Sequence, residues 1–83
     1  MMELKDFEKF LEFTTKQITI LKEKEVNEYK DDSWKIYEEE DLLDDLIDQL
    51  DRLEWSEEKE YKQRRLLHIA NYAFFIWHKL QTD

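Results

Sequence analysis

The chain has 83 residues, a formal net charge of −9, and no Gly, Pro or Cys. These absences exclude phosphate-cradling glycine loops, dinucleotide fingerprints, EF-hand loops, disulfide frameworks and thiol nucleophiles. Sheets built on tight hairpins need positive φ at their turns, so a single all-α domain over residues 1–83 is expected.

An acidic surface repels phosphate backbones and anionic lipid, so neither generic nucleic-acid binding nor membrane binding is expected. It suits a basic protein partner, divalent metal ions or plain solubility. The longest uninterrupted apolar run, Tyr72 to Trp77, is far shorter than a membrane span. The start, Met1 to Asp6, carries acids where a signal peptide has apolar residues. A cytoplasmic protein is expected.

Leu4, Phe7, Leu11, Ile18 and Leu21 recur at helical spacing, with Phe10 widening the stripe. They predict an amphipathic first helix over residues 3–29. The β-branched residues within 14–20 lower its propensity and mark the place where it would break. Lys30-Asp31-Asp32-Ser33 reads as a connector, because Asp and Ser compete for backbone hydrogen bonds. Trp34, Ile36 and Tyr37 are then expected to lie over one end of a helix bundle.

The second helix is predicted over residues 39–55. Leu42, Leu43, Leu46, Ile47, Leu50 and Leu53 share one face, and Asp41, Asp44, Asp45, Asp48 and Asp51 occupy the opposite flank. Ser56 is placed to cap a third helix over residues 57–80, with Glu57 and Glu58 in its first turn. The two helices should form a tight hairpin. From Leu66 to Leu80 the third helix is apolar nearly all round, and such a helix is buried all round. Three helices offer too little to cover it. A homo-oligomer, a dimer or higher even assembly, is therefore expected to complete the bundle, with Phe74, Phe75 and Trp77 at its interface.

One polar seam interrupts that helix. Arg64, His68, Asn71 and His78 lie within about 80° of one another on the helical wheel. Buried polar groups need partners, and the aspartates of the second helix are the nearest expected ones. A row of carboxylates would then face Arg, His and Asn. The plainer alternative is a solvated acidic face beside a few interhelical hydrogen bonds.

The same residues carry a resemblance. Asp44-Asp45-x-x-Asp48 resembles the Glu-Glu-x-x-Glu motif of the MazG-like all-α nucleotide pyrophosphohydrolases. Leu67-His68-Ile69-Ala70-Asn71-Tyr72-Ala73 is similar to that family's Asp-x-Ala-Asn-Tyr-Ala stretch, and Asp32-Ser33-Trp34-Lys35 to the Asp-Ser-Trp-Lys that often precedes its first motif. The resemblance covers residues 31–80. It implies magnesium or manganese held by acids of both motifs, a triphosphate substrate and an activated water. Asp44, Asp45 and Asp48 match the first metal motif. Where the second motif, Glu-x-x-Asp, belongs, Arg65 and His68 stand instead. A guanidinium cannot ligate a cation, and a histidine suits transition metals better than magnesium.

Three functions follow as expectations. One is a degenerate relative that binds nucleotide or metal weakly without turnover, through Arg64, Arg65 and Asn71 for phosphate and through Asp44, Asp45, Asp48 and His68 for metal. The second is an acidic helical adaptor or inhibitor for a basic protein. The third is a metal-dependent nucleotide pyrophosphohydrolase with non-standard ligands.

Overall fold

The computed structural model describes residues 2–27 and 36–82 and forms three helices: α1 (Leu4–Asn27), α2 (Glu39–Trp55) and α3 (Lys59–Thr82). Among the described residues there is no strand, and no helix is long and apolar enough to cross a membrane. The expected connector, Trp34 and the Asp-Ser-Trp-Lys stretch lie outside the described residues.

Local chemistry explains the helix boundaries. The Glu3 N–H donates to the Asp6 carboxylate at 3.0 Å, the returning half of a capping box. No break occurs within residues 14–20. The hydroxyls of Thr14, Thr15 and Thr19 donate to the carbonyls of Phe10, Leu11 and Thr15 at 3.1, 2.9 and 3.0 Å. Bonded back to the preceding turn, they do not draw the backbone out of the helix. α2 starts without a side-chain cap, after the extended Glu38; Glu39, Glu40 and Asp41 in its first turn face the positive end of the helix dipole. At its far end Ser56 is extended, and the Ser56 hydroxyl accepts the Glu58 N–H at 3.3 Å. The Lys62 N–H then reaches the Glu58 carbonyl at 3.0 Å. The third helix thus begins two residues later than the sequence predicts.

α2 and α3 pack as a hairpin, and α1 docks on α3. Phe75 and Leu42, 2% and 1% exposed, form the centre, with Leu21, Tyr72 and Ile76 packed around them. The Tyr72 and Phe75 rings meet edge to face at 5.8 Å, a favoured quadrupole arrangement. Ile20 and Leu67 are the other buried apolar side chains among the described residues.

This core is smaller than the apolar faces offered to it. On α1 the residues Leu4, Phe7, Phe10, Leu11 and Ile18 stay exposed, while Ile20 is buried. On α2 Leu42 is buried, but Leu43, Ile47 and Leu50 are exposed and Gln49 is buried instead. A single neighbouring helix covers only one edge of so wide a face. On α3 Phe74, Trp77 and Leu80 are exposed in the single chain. Ile36 and Tyr37, expected over the bundle end, are also exposed. The chain exposes 6776 Å², whereas a folded monomer of 10.5 kDa exposes about 5,400 Å². Its radius of gyration is 14.0 Å, against about 12 Å for a self-contained domain of this length.

Candidate functional site

Two polar residues of α3, Arg65 and Asn71, reach between the helices and meet amide side chains there. The Arg65 guanidinium donates through Nη1 to Gln49 Oε1 at 2.6 Å, and its Cζ lies 5.0 Å from the centre of the Tyr61 ring. Gln49 is the polar residue within the α3-facing side of α2, so it meets Arg65 where an apolar side chain could not. The Arg65 Nε is enclosed and makes no hydrogen bond among the described residues. On the other flank, Gln17 Nε2 donates to Asn71 Oδ1 at 3.2 Å, and Asn71 Nδ2 donates to the Gln17 carbonyl at 3.5 Å. Asn71 and His68 are buried, at 3% and 5% exposure. These pairs satisfy polar groups whose burial is otherwise costly.

Asp44, Asp45 and Asp48 stand on the exposed face of α2. Asp48 pairs with Arg52 one turn on, at 3.1 Å. Where a carboxylate row was expected, Arg65 meets Gln49 and Asn71 meets Gln17. The line of α2 turned to α3 is held by Leu42 and Gln49, and the aspartates follow the rotation outward. Among the described residues no three His, Asp or Glu side chains are grouped to hold a metal ion. Of the residues matched to phosphate, Arg65 and Asn71 are committed to Gln49 and Gln17, and Arg64 is exposed. Of the expected interface residues, Phe74 and Trp77 are exposed, whereas Phe75 is closed inside the chain because it seats on Leu42. His78, the last residue of the seam, is half-buried with its ring 6.0 Å from Phe74.

Replacing Asp44, Asp45 and Asp48 together with Asn is expected to change stability by less than about 0.5 kcal/mol in metal-free buffer, because relief of repulsion between like charges one turn apart offsets the loss of the Asp48–Arg52 pair. Thermal melts check it. A larger loss of stability in the variant would contradict a purely solvated face. A divalent ion that stabilises the wild type and not the variant would make these residues ligands.

A second feature lies between α1 and α3. A groove of about 270 Å³ is lined by Lys9, Glu12 and Lys16 together with Phe13, Leu66 and Leu67. Lys9 and Lys16 both approach the Glu12 carboxylate, at 3.6 and 3.4 Å. The hydrogen bond from Lys16, with the charges of Lys9 and Lys16, holds that carboxyl below its usual range. Sequence reasoning missed this groove. Its charged residues fall off the apolar stripe of α1, and its apolar lining joins Phe13 of α1 to Leu66 and Leu67 of α3.

No protein-family model, curated protein or solved structure matches the chain.

Proposed function

We propose that the protein is a self-associating helical scaffold of MazG-like type that does not hydrolyse nucleotides. The observation that carries this reading is the position of Arg65. It stands where the family pattern places an acid, and it points a fixed positive charge into the α2–α3 interface, tied to Gln49 at 2.6 Å. A guanidinium there repels a divalent cation and cannot ligate one. Magnesium or manganese is left with the solvated carboxylates of Asp44, Asp45 and Asp48, where binding is weak. A nucleotide phosphate is left with Arg64.

Self-association is supported by the apolar side chains that one chain leaves open: Leu66, Phe74, Trp77 and Leu80 on α3 and Leu43, Ile47 and Leu50 on α2 are exposed.

A second reading, an acidic adaptor for a basic protein, is favoured by the outward aspartate face of α2. Eight acidic residues and one basic residue lie on that helix. It predicts salt-sensitive capture of a basic partner.

The test has two arms. Purified protein with Mg²⁺ or Mn²⁺ is expected to release no pyrophosphate from nucleoside or deoxynucleoside triphosphates; enzyme-like turnover would overturn the reading. The double change Arg65→Glu with His68→Asp restores the acids of the family pattern. Saturating Mg²⁺ at a hundredfold over Kd should then add about 2.7 kcal/mol, on the order of 10 °C in Tm for a chain of this size. The wild type should show no comparable gain. If the restored acids leave the melt indifferent to Mg²⁺, positions 65 and 68 do not share a metal site with the outward aspartates, and the adaptor becomes the better account.

A further inference from the structure

We propose that α3 pairs antiparallel with α3 of a second copy, about a two-fold axis between Ala70 and Ala73, and that Trp77 of each copy fills the α1–α3 groove of the other. This inference rests on the self-association argued above and names its surface.

The first observation is a seam. Leu66, Ala70, Ala73, Trp77 and Leu80 follow steps of four, three, four and three along α3. That is the heptad spacing that keeps one line of side chains facing a partner helix. The line is open in the single chain. Leu66, Trp77 and Leu80 are 45%, 56% and 57% exposed, Ala73 is exposed and Ala70 half-buried. Large residues stand at both ends and two alanines in the middle, so two such helices can approach closely at their midpoints.

The second observation is the groove. In the antiparallel register the residues pair about that midpoint: Ala70 with Ala73, Leu66 with Trp77, and Gln63 with Leu80. Leu66 and Gln63 both line the groove, beside Phe13 and Leu67 of the same chain. The register therefore delivers an exposed indole to this recess. The contents of the recess suit an indole. Phe13, Leu66 and Leu67 meet its faces, the ammonium groups of Lys9 and Lys16 can stand over the ring, and the Glu12 carboxylate can accept the indole N–H. Each copy gives one Trp77 and receives one, as an isologous contact requires.

Charge argues against one of the other open faces, that of α2. Pairing through Leu43, Ile47 and Leu50 would bring together two copies of α2, each with eight acids and one base. α3 carries five basic residues and the single acid Glu60. Pairing through α3 keeps the two aspartate faces apart in a chain whose net charge is already −9.

The chain has no Cys, so introduced thiols report the register directly. One chain carries Gln63→Cys and the other Leu80→Cys; both sites are exposed on α3. Within one helix these positions are about 25 Å apart, too far for a disulfide, which needs Cα atoms within roughly 7 Å. Mild oxidation of the mixture is expected to give a covalent dimer, and oxidation of either variant alone is expected to give none. A dimer from Gln63→Cys alone would mean parallel helices and overturn the proposal. No cross-link in the mixture, with sedimentation still showing a dimer, would overturn this interface and leave self-association standing. A monomer in sedimentation would overturn self-association itself. The pair Ala70→Cys with Ala73→Cys lies in the same register, leaves Trp77 in place and repeats the test should the first pair fail to fold.

Discussion

Replacing Phe75 with Ala lowers stability by about 3–5 kcal/mol. Phe75 is 2% exposed and packs on Leu42, itself 1% exposed, with Leu21, Tyr72 and Ile76 around the pair. These residues come from all three helices, so the cavity left by the ring would undercut every interhelical contact at once. A chain of this length has on the order of 4–12 kcal/mol in total, and the variant should be largely unfolded or close to it. Urea denaturation followed by helical ellipticity measures the loss. A change below about 1 kcal/mol would mean that the ring is not a core residue, because even small truncations in a close-packed site exceed that.

Trp77→Asp has a different expected result. Trp77 is 56% exposed in the single chain, so little intramolecular packing is lost and helical content should persist. At the proposed interface the change removes an aromatic anchor and leaves the recess at Phe13 and Leu66 unfilled. Central aromatic anchors are worth at least about 2 kcal/mol. Dimer affinity should fall by roughly a hundredfold, about 2.7 kcal/mol. A variant that is helical and dimeric like the wild type would remove Trp77 from the interface. The contrast with Phe75 is informative because the residues are neighbours on one helix. One is predicted to abolish the fold and the other only the assembly.

Why the helices were legible and their contacts were not has a physical explanation. Period alone places α2 at residues 39–55, because apolar and acidic residues separate cleanly on the wheel. With neither Gly nor Pro, the chain has few other places to stop a helix. The wheel shows which face is apolar, but not which edge of it a neighbour will cover. On α1 the residues with the best spacing, Leu4, Phe7 and Leu11, remain exposed, while Ile20 is buried. On α2 the same freedom of rotation turned Asp44, Asp45 and Asp48 outward and Gln49 inward.

The polar seam was legible in part. His68 and Asn71 are buried as their position among apolar residues implies. Their neighbours could not be read from local spacing, because the Gln17–Asn71 contact joins residues 54 positions apart. One signal was present for Arg65. Gln49 is the polar residue that interrupts the line from Leu42 through Leu46 to Leu53, and a polar group on a packed face calls for a polar partner on the facing helix. The departure of Arg65 from the family's acid was visible in the sequence. That it spends its charge on Gln49 and Tyr61 was not.

The central claim is that this fold is finished by a second copy of itself. Sedimentation equilibrium of the wild type at micromolar concentration tests it most directly. The account predicts a particle of at least twice the 10.5 kDa chain mass, returning to the chain mass in Trp77→Asp. A stable, helical 10.5 kDa monomer in the wild type would contradict it.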